Sequence, residues 1–538
     1  MTDLLLINPA AAHGIYGSLG DKLVAVEPPQ WCRLVGGYIR DRDGFSVKIL
    51  DAEAERLTPR EVVDVAAKLQ PRLICIAVYG HQPSASTQQM WGARAVAKAL
   101  RSAGLGPVIM IGGHPSALPE RTLAEEPVDY VGVGEGHTTI LGLLQGMEVA
   151  SVPGLLWRSG TKHRAIRRNK PAVLCENMRE LHGSVWDWLP MHLYRAHNWQ
   201  CFGTDPAKRQ PYASIHTSLG CPWRCSFCMI NAPFASNRYR MRRPEDVVDE
   251  VEYLFEERGV RTLKITDEMF VLNQHHYTAV CEGLIQRGLG SKLNIWAYAR
   301  VDTVVPKTLD LLRAAGIKWL ALGIESASKH VRDGAKKALR TDDIIGTVRR
   351  IQKAGINVIG NFMFGLRDDD TESMLATLKL AVDCCPDFAN FYSCMAYPGS
   401  ALYAQALKEG WNLPKSWRDY SQHNDGCTPL DTQHITGRDV LAFRDMAFEH
   451  FFTAPTYRHH VLNKFGLDTL NHVDEMLGYR LKRNLLESGD EKTKGQSKRL
   501  PPLSAEFVGS GGPVSDCADE SDLHPGAGGR VSPGTSTN

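Results

Sequence analysis

The sequence predicts an α/β protein made of two successive parallel-sheet units and a small helical C-terminal region. Strand-length apolar runs alternate with helical stretches from residue 3 to about 147. A second alternation of the same kind runs from 214 to 396. From Trp411 to about Leu486 the period becomes helical throughout. Alternating strand and helix signals are the mark of parallel sheets covered by helices.

In the first series, residues 4–8, 47–51, 73–78, 108–112 and 130–133 read as strands. Thr58 followed by Pro59 opens a helix, because a Thr side chain caps the first turn and Pro is pre-set for it. Five such units imply a doubly wound sheet, whose ligands sit at the carboxyl ends of the strands. Residues 148–210, rich in Trp, Pro and His, read as a connecting segment without chemistry. The second series places strands at 214–218, 262–266, 294–299, 319–324, 358–364 and 390–396, six units where a closed barrel has eight. Its clearest helix spans 244–258, with Val247, Val248, Val251, Leu254 and Phe255 on one stripe. The predicted organisation is 1–147, 148–210, 211–410, a helical cap at 411–487, and a tail at 488–538. The tail has too few apolar residues to fold alone, and no site is expected there, Cys517 included.

A formal net charge of +2 gives no long-range reason to seek nucleic acid or an anionic membrane. No stretch of about 18 apolar residues predicts a membrane span. The first residues lack a basic leader. Thirteen cysteines, an odd number spread thinly, argue against a disulfide framework and for a reducing, cytoplasmic setting.

The exception to that spread is Cys221, Cys225 and Cys228, a C-x3-C-x2-C triplet. Three thiolates this close suit a four-iron cluster with one iron left open to a small molecule. A structural zinc completed by Cys201, or a buried cluster of free thiols, are the other readings of the same residues. Asp267 and Glu268, Arg300, and Glu325 with Ser326 fall just after strands of the second series, where barrels place chemistry. Each also reads as a rim charge. Gly112, Gly113 and His114 follow one strand of the first series, and Gly134, Glu135 and Gly136 follow the next. Glycines there let a bulky ligand approach the backbone. They follow the fourth and fifth strands rather than the first, which excludes a dinucleotide fingerprint.

The triplet, with Phe227 before its third cysteine, resembles the signature of the radical S-adenosylmethionine (SAM) enzymes, although Leu219 stands where that family often has Arg. The first unit resembles the cobalamin (B12)-binding domain that precedes the barrel in one class of these proteins. The matching residues are Asn8-Pro9, Pro28-Pro29, Gly112-Gly113-His114 with Pro119-Glu120, and Gly134-Glu135-Gly136.

This resemblance implies a Rossmann-like cobalamin domain followed by a partial (β/α)6 barrel. It implies a [4Fe-4S] cluster on Cys221, Cys225 and Cys228, SAM near Phe227, Asp267, Glu268, Arg300 and Glu325, and cobalamin near the Asn8, Gly112 and Gly134 segments. The D-x-H-x-x-G motif that supplies a cobalt ligand elsewhere is absent. His13 reads as an ordinary loop histidine, so cobalamin would bind with its own base displaced.

The implied function is methyl transfer from SAM, through methylcobalamin, to an unactivated carbon of a small-molecule substrate. The implied partner is an electron donor such as flavodoxin or ferredoxin. A cyclase or oxidative rearrangement enzyme with the same cofactors is the alternative. A non-catalytic corrinoid-binding module with a structural metal site is the alternative of another class.

Overall fold

Two parallel sheets organise the chain. The computed structural model describes residues 2–487 except 18, 43, 81–82, 161–164, 206–208 and 341–342; the predicted tail and Cys517 lie outside the described residues.

The first sheet comprises β1 (Leu4–Asn8), β2 (Val47–Asp51), β3 (Leu73–Val78), β4 (Val108–Gly112), β5 (Tyr130–Gly132), β6 (Leu155–Ser159) and β7 (Ala165–Arg168). Their order is β2-β1-β3-β4-β5-β6-β7. The first five strands are parallel, as predicted, and strand order reverses between β1 and β3. β6 and β7 add two antiparallel strands from the stretch read as a connecting segment. They were illegible because β7 is a largely exposed Ala-Ile-Arg-Arg edge without apolar alternation. On one face lies the helix Gln30–Arg40, burying Trp31, Leu34, Val35 and Ile39. The helix Pro59–Leu69 begins as predicted. Thr58 and Glu61 form a reciprocal capping box, the Thr58 N–H donating to Glu61 Oε2 at 2.8 Å.

The second sheet comprises β8 (Tyr212–Ile215), β11 (Thr262–Ile265), β12 (Asn294–Arg300), β13 (Ile317–Glu325), β14 (Asn357–Phe364) and β15 (Phe388–Ser393). These strands are parallel and lie side by side in chain order, the six-unit partial barrel expected. Between β8 and β11 a short antiparallel pair forms from β9 (Ser218–Leu219) and β10 (Arg240–Met241). The first barrel strand therefore ends at Ile215 rather than at 218. The cause is Asp267, which accepts hydrogen bonds from the Thr217 N–H (2.6 Å) and Thr217 hydroxyl (2.6 Å) and turns the chain out of the sheet. The helix Pro244–Arg258 buries the predicted stripe and stops at Gly259, whose φ of 67° takes the left-handed cap position.

The helices Gly437–Thr453, Pro455–Phe465 and Leu467–Leu477 follow. Phe443 and Phe451 pack on Phe364 and Phe391 of the last two barrel strands, with ring centres 4.8 and 5.7 Å apart. The two sheets are joined by buried ion pairs: Glu27 with Lys264 (3.0 Å) and Glu135 with Arg240 (2.8 Å). No described helix is long and apolar enough to cross a membrane.

Candidate active site

A cavity of about 620 Å³ lies among the strand ends of the barrel, the first sheet and the C-terminal helices. Cys221, Cys225 and Cys228 line it together with Phe227, Glu268, Arg300 and Glu325. The structure thus gathers seven of the nine barrel residues singled out from sequence. Ser326 is fully buried outside the lining, and Asp267 does not line it either. Asp267 is 1% exposed, and its carboxylate is consumed by Thr217 and Ser218, so it shapes the start of the cysteine loop instead of facing the cavity.

Burial pushes the Cys221 thiol up to about 11 and raises Cys225 and Cys228 as well. Such thiols become thiolates only when a cation takes them. Among the described residues no three His, Cys, Asp or Glu side chains converge on one point, as a single-ion site requires. Cys201 does not line this cavity. Three separate thiols on one wall, with no fourth cysteine in the lining, fit a multi-iron cluster that keeps one corner open.

Glu268 accepts from the Gly220 N–H (3.1 Å), and burial pushes its carboxyl up to about 8. Arg300 faces the cavity, but its guanidinium donates to Asp302 Oδ1 (2.9 Å) and the Ala338 carbonyl (2.8 Å) and lies 4.8 Å from the Trp223 ring centre. It braces the cysteine loop. Glu325 sits at a bulge ending β13, with φ of 64°, and pairs with Lys337, a residue the sequence reading missed. Gly323 makes that pair possible: a Cβ there would lie 2.5 Å from Lys337 Nζ and 2.9 Å from Glu325 Oε1. Nothing in the sequence marks Lys337, which reaches the site from a loop twelve residues after its partner.

The first domain also contributes to the cavity lining. Tyr16, which follows β1, and Tyr79 and Gly80, which follow β3, line the cavity with Gln88. These positions flank the point where strand order reverses, the crevice in which open parallel sheets bind ligands.

Asn8, Pro9, Gly112, Gly113, His114, Gly134, Glu135 and Gly136 do not line it. Asn8 donates to Asp51 (2.7 Å) and ties β1 to β2, while Pro9 is buried beside it. Gly112, at φ 134°, lets β4 pass Val78, whose carbonyl oxygen a Cβ would meet at 1.9 Å. Gly113 abuts Ser86 and Met229. His114 is buried under Trp417, with ring centres 4.5 Å apart, and burial pushes its imidazole down to about 3. The Gly134 N–H donates to Ser116 (3.0 Å), Gly136 caps a helix, and Glu135 pairs with Arg240. Of these, Gly113, Gly134 and Glu135 meet barrel residues Met229, Pro233 and Arg240. His13 is exposed and does not line the cavity.

The remaining wall comes from β14, β15 and the C-terminal region, including Asn361, Phe391, Tyr392, His423 and Phe448. His197 and Trp199, from the segment expected to carry no chemistry, line the inner end. Tyr298 and Tyr397 also line the cavity.

A ligand crevice of a doubly wound sheet facing a six-stranded open barrel with three thiols in one wall defines a two-domain, cofactor-dependent α/β enzyme. Residues 215–381 match the family model of the radical SAM superfamily, and residues 18–144 match that of the B12 binding domain. The chain belongs to the radical SAM enzymes that carry a B12-binding domain.

It is 27% identical over 458 residues to an uncharacterized methyltransferase of Pyrococcus horikoshii, covering 84% of this chain and 93% of that one. It is 26% identical over 441 residues to the anaerobic magnesium-protoporphyrin IX monomethyl ester cyclase of Cereibacter sphaeroides, covering 80% of this chain and 68% of that one. The fold is shared with the radical SAM methyltransferase TsrM from Kitasatospora setae, solved with cobalamin and a [4Fe-4S] cluster. That match has TM-score 0.63 at 19% identity, over 83% of this chain and 89% of that one.

Proposed function

We propose that this enzyme transfers a methyl group from SAM to an unactivated carbon of a small, largely apolar molecule, with cobalamin as the methyl carrier. The observation that carries the reading is the single cavity shared by the cysteine triplet and the switch-point residues Tyr16, Tyr79 and Gln88. The similarity to a methyltransferase over most of both chains supports it. When bound, the cluster would supply the one-electron cleavage of SAM and the corrinoid the transferable methyl.

The residues then divide the work. Cys221, Cys225 and Cys228 would hold the cluster. Glu268 and the Glu325–Lys337 pair would receive the polar end of SAM, since a carboxylate accepts from an ammonium and a lysine donates to a carboxylate. Tyr16 and Tyr79 would pack the apolar face of the corrin. No general base is required at carbon if the transferred group leaves on a radical.

The cyclase relative favours a second reading, in which the same radical closes a ring. Anaerobic reconstitution with methyl-labelled SAM separates the two: labelled product heavier by about 14 Da per transfer marks methylation, and product without SAM carbon marks cyclisation. Substituting serine at Cys221, Cys225 or Cys228 is expected to abolish iron binding and 5'-deoxyadenosine formation. Retention of both would end the proposal.

A further inference from the structure

One cation in the cavity wall lies outside the groups assigned to cluster, SAM and corrin. Arg444, on the helix Gly437–Thr453, lines the cavity and is 6% exposed. Its Nε donates to the Phe391 carbonyl (2.9 Å) and its Nη1 to Asp445 Oδ1 (2.8 Å). Among the described residues no acceptor takes its Nη2. Arg483, also buried, donates to the same carboxylate through Nη2 (2.7 Å) and Nε (2.8 Å). Asp445 is the only carboxylate paired with either guanidinium among the described residues. Burial works against its charge, but hydrogen bonds and charge from Arg483 and Arg444 hold its carboxyl below the usual range. Two buried cations thus share one anion, and one positive charge is left over. A buried charge without its counter-ion is costly, and a monoanion brought in by a ligand relieves that cost.

Two uncharged polar atoms belong to the same wall. The Ser393 hydroxyl and His423 Nδ1 are buried without a hydrogen-bond partner, and both residues line the cavity. Gln422 links them to the cations: its carbonyl accepts from Arg483 Nη1 (2.6 Å) and its Oε1 from the Ser393 N–H (3.4 Å). That sets the amide so that its Nε2 faces His423 Nε2 (3.4 Å), which accepts, and the proton of the neutral imidazole sits on Nδ1. Burial, reinforced by Arg444 and Arg483, pushes this imidazole down to about 3, so it adds no second charge at neutral pH.

We propose that Arg444, Ser393 and His423 anchor a carboxylate of the substrate, so that the molecule methylated is an apolar body carrying one carboxylate. The inference rests on the proposed methyl transfer and adds the substrate class. One charge left over matches a monoanion rather than a phosphate dianion. Trp296, Phe391 and Phe448 of the same cavity offer aromatic surface to the apolar body.

The test titrates phenylacetate, phenylpropionate, phenylbutyrate and phenylvalerate, each beside its uncharged primary amide, into enzyme reconstituted with cluster, cobalamin and SAM. No reductant is added, and binding is read by saturation-transfer NMR. At least one acid is expected to bind about tenfold more tightly than its amide, and Arg444→Gln should bring the two within about twofold. Ser393→Ala removes a hydroxyl bonded to nothing in the protein, so it keeps the test decisive even if loss of the Arg444 bonds unfolds the wall. It should weaken the same acid about threefold to tenfold and leave the amide unchanged.

An unsubstituted enzyme that prefers no acid over its amide overturns the anchor, as does a preference that survives Arg444→Gln. Loss of SAM affinity in Ser393→Ala equal to the loss of acid affinity also overturns it, because the wall would then hold the SAM carboxylate. The titration involves no turnover, so failure of labelled methyl transfer would defeat the proposed activity and leave the anchor decided on its own.

Discussion

Glu135 of the first sheet and Arg240 of the barrel hairpin meet across the domain junction, Oε1 to Nη2 at 2.8 Å, with side chains 1% and 6% exposed. The other Glu135 oxygen accepts from the Cys175 N–H (2.8 Å), and Arg240 also donates to the Cys175 carbonyl (2.7 Å). Glu135→Ala leaves a buried guanidinium without its counter-charge and is expected to cost about 3–5 kcal/mol. Pairing it with Arg240→Met should recover much of that loss. Urea unfolding of the single and double variants measures both.

Gly323→Ala tests the pair beneath the cysteine loop. The added methyl would lie 2.5 Å from Lys337 Nζ, so Lys337 and Glu325 must part. SAM affinity, read by equilibrium dialysis, is expected to fall at least about tenfold, the scale of one lost charge-assisted hydrogen bond. Iron content should stay at the unsubstituted level.

Tyr79→Ala removes an aromatic wall at the strand-order reversal. Hydroxocobalamin affinity, followed by its visible spectrum, should weaken roughly tenfold, whereas Gly134→Ala should act on stability first because Gly134 stands at φ 97° at the junction.

His114 makes a pH signature. Its imidazole ordinarily titrates near 6.5, and burial, with a smaller contribution from Arg121 and Arg94, pushes it down to about 3 in the fold. Below 6.5 the unfolded chain takes up a proton that the folded one refuses, so this residue's contribution to stability is lost as pH falls from 6.5 toward 3. Unfolding midpoints between pH 7 and 5 should drop more steeply for the unsubstituted protein than for His114→Asn, by up to about 1.4 kcal/mol per pH unit.

How much of this was legible follows from what each feature depends on. The parallel strands and the stripe on 244–258 were readable because local apolar periodicity produces them. The cysteine triplet was readable because its ligands are close in sequence. The cavity wall proposed for the corrinoid was not, since it depends on which strand ends are neighbours. Strand order 2-1-3-4-5 places Tyr16 and Tyr79 together, and no periodicity encodes that order. The glycines after β4 and β5 were correctly recognised as points of close approach, but what approaches Gly113 and Gly134 is the barrel's own Met229 and Pro233. Lys337 escaped because a loop lysine among other lysines carries no local mark.

Tyr16 and Leu481 line the same chamber although 465 positions separate them along the chain. The walls that would shield a radical are therefore completed by residues that come after both sheets in the chain. A polypeptide cut after Ser393 would own the cysteines and both sheets but lack that part of the enclosure.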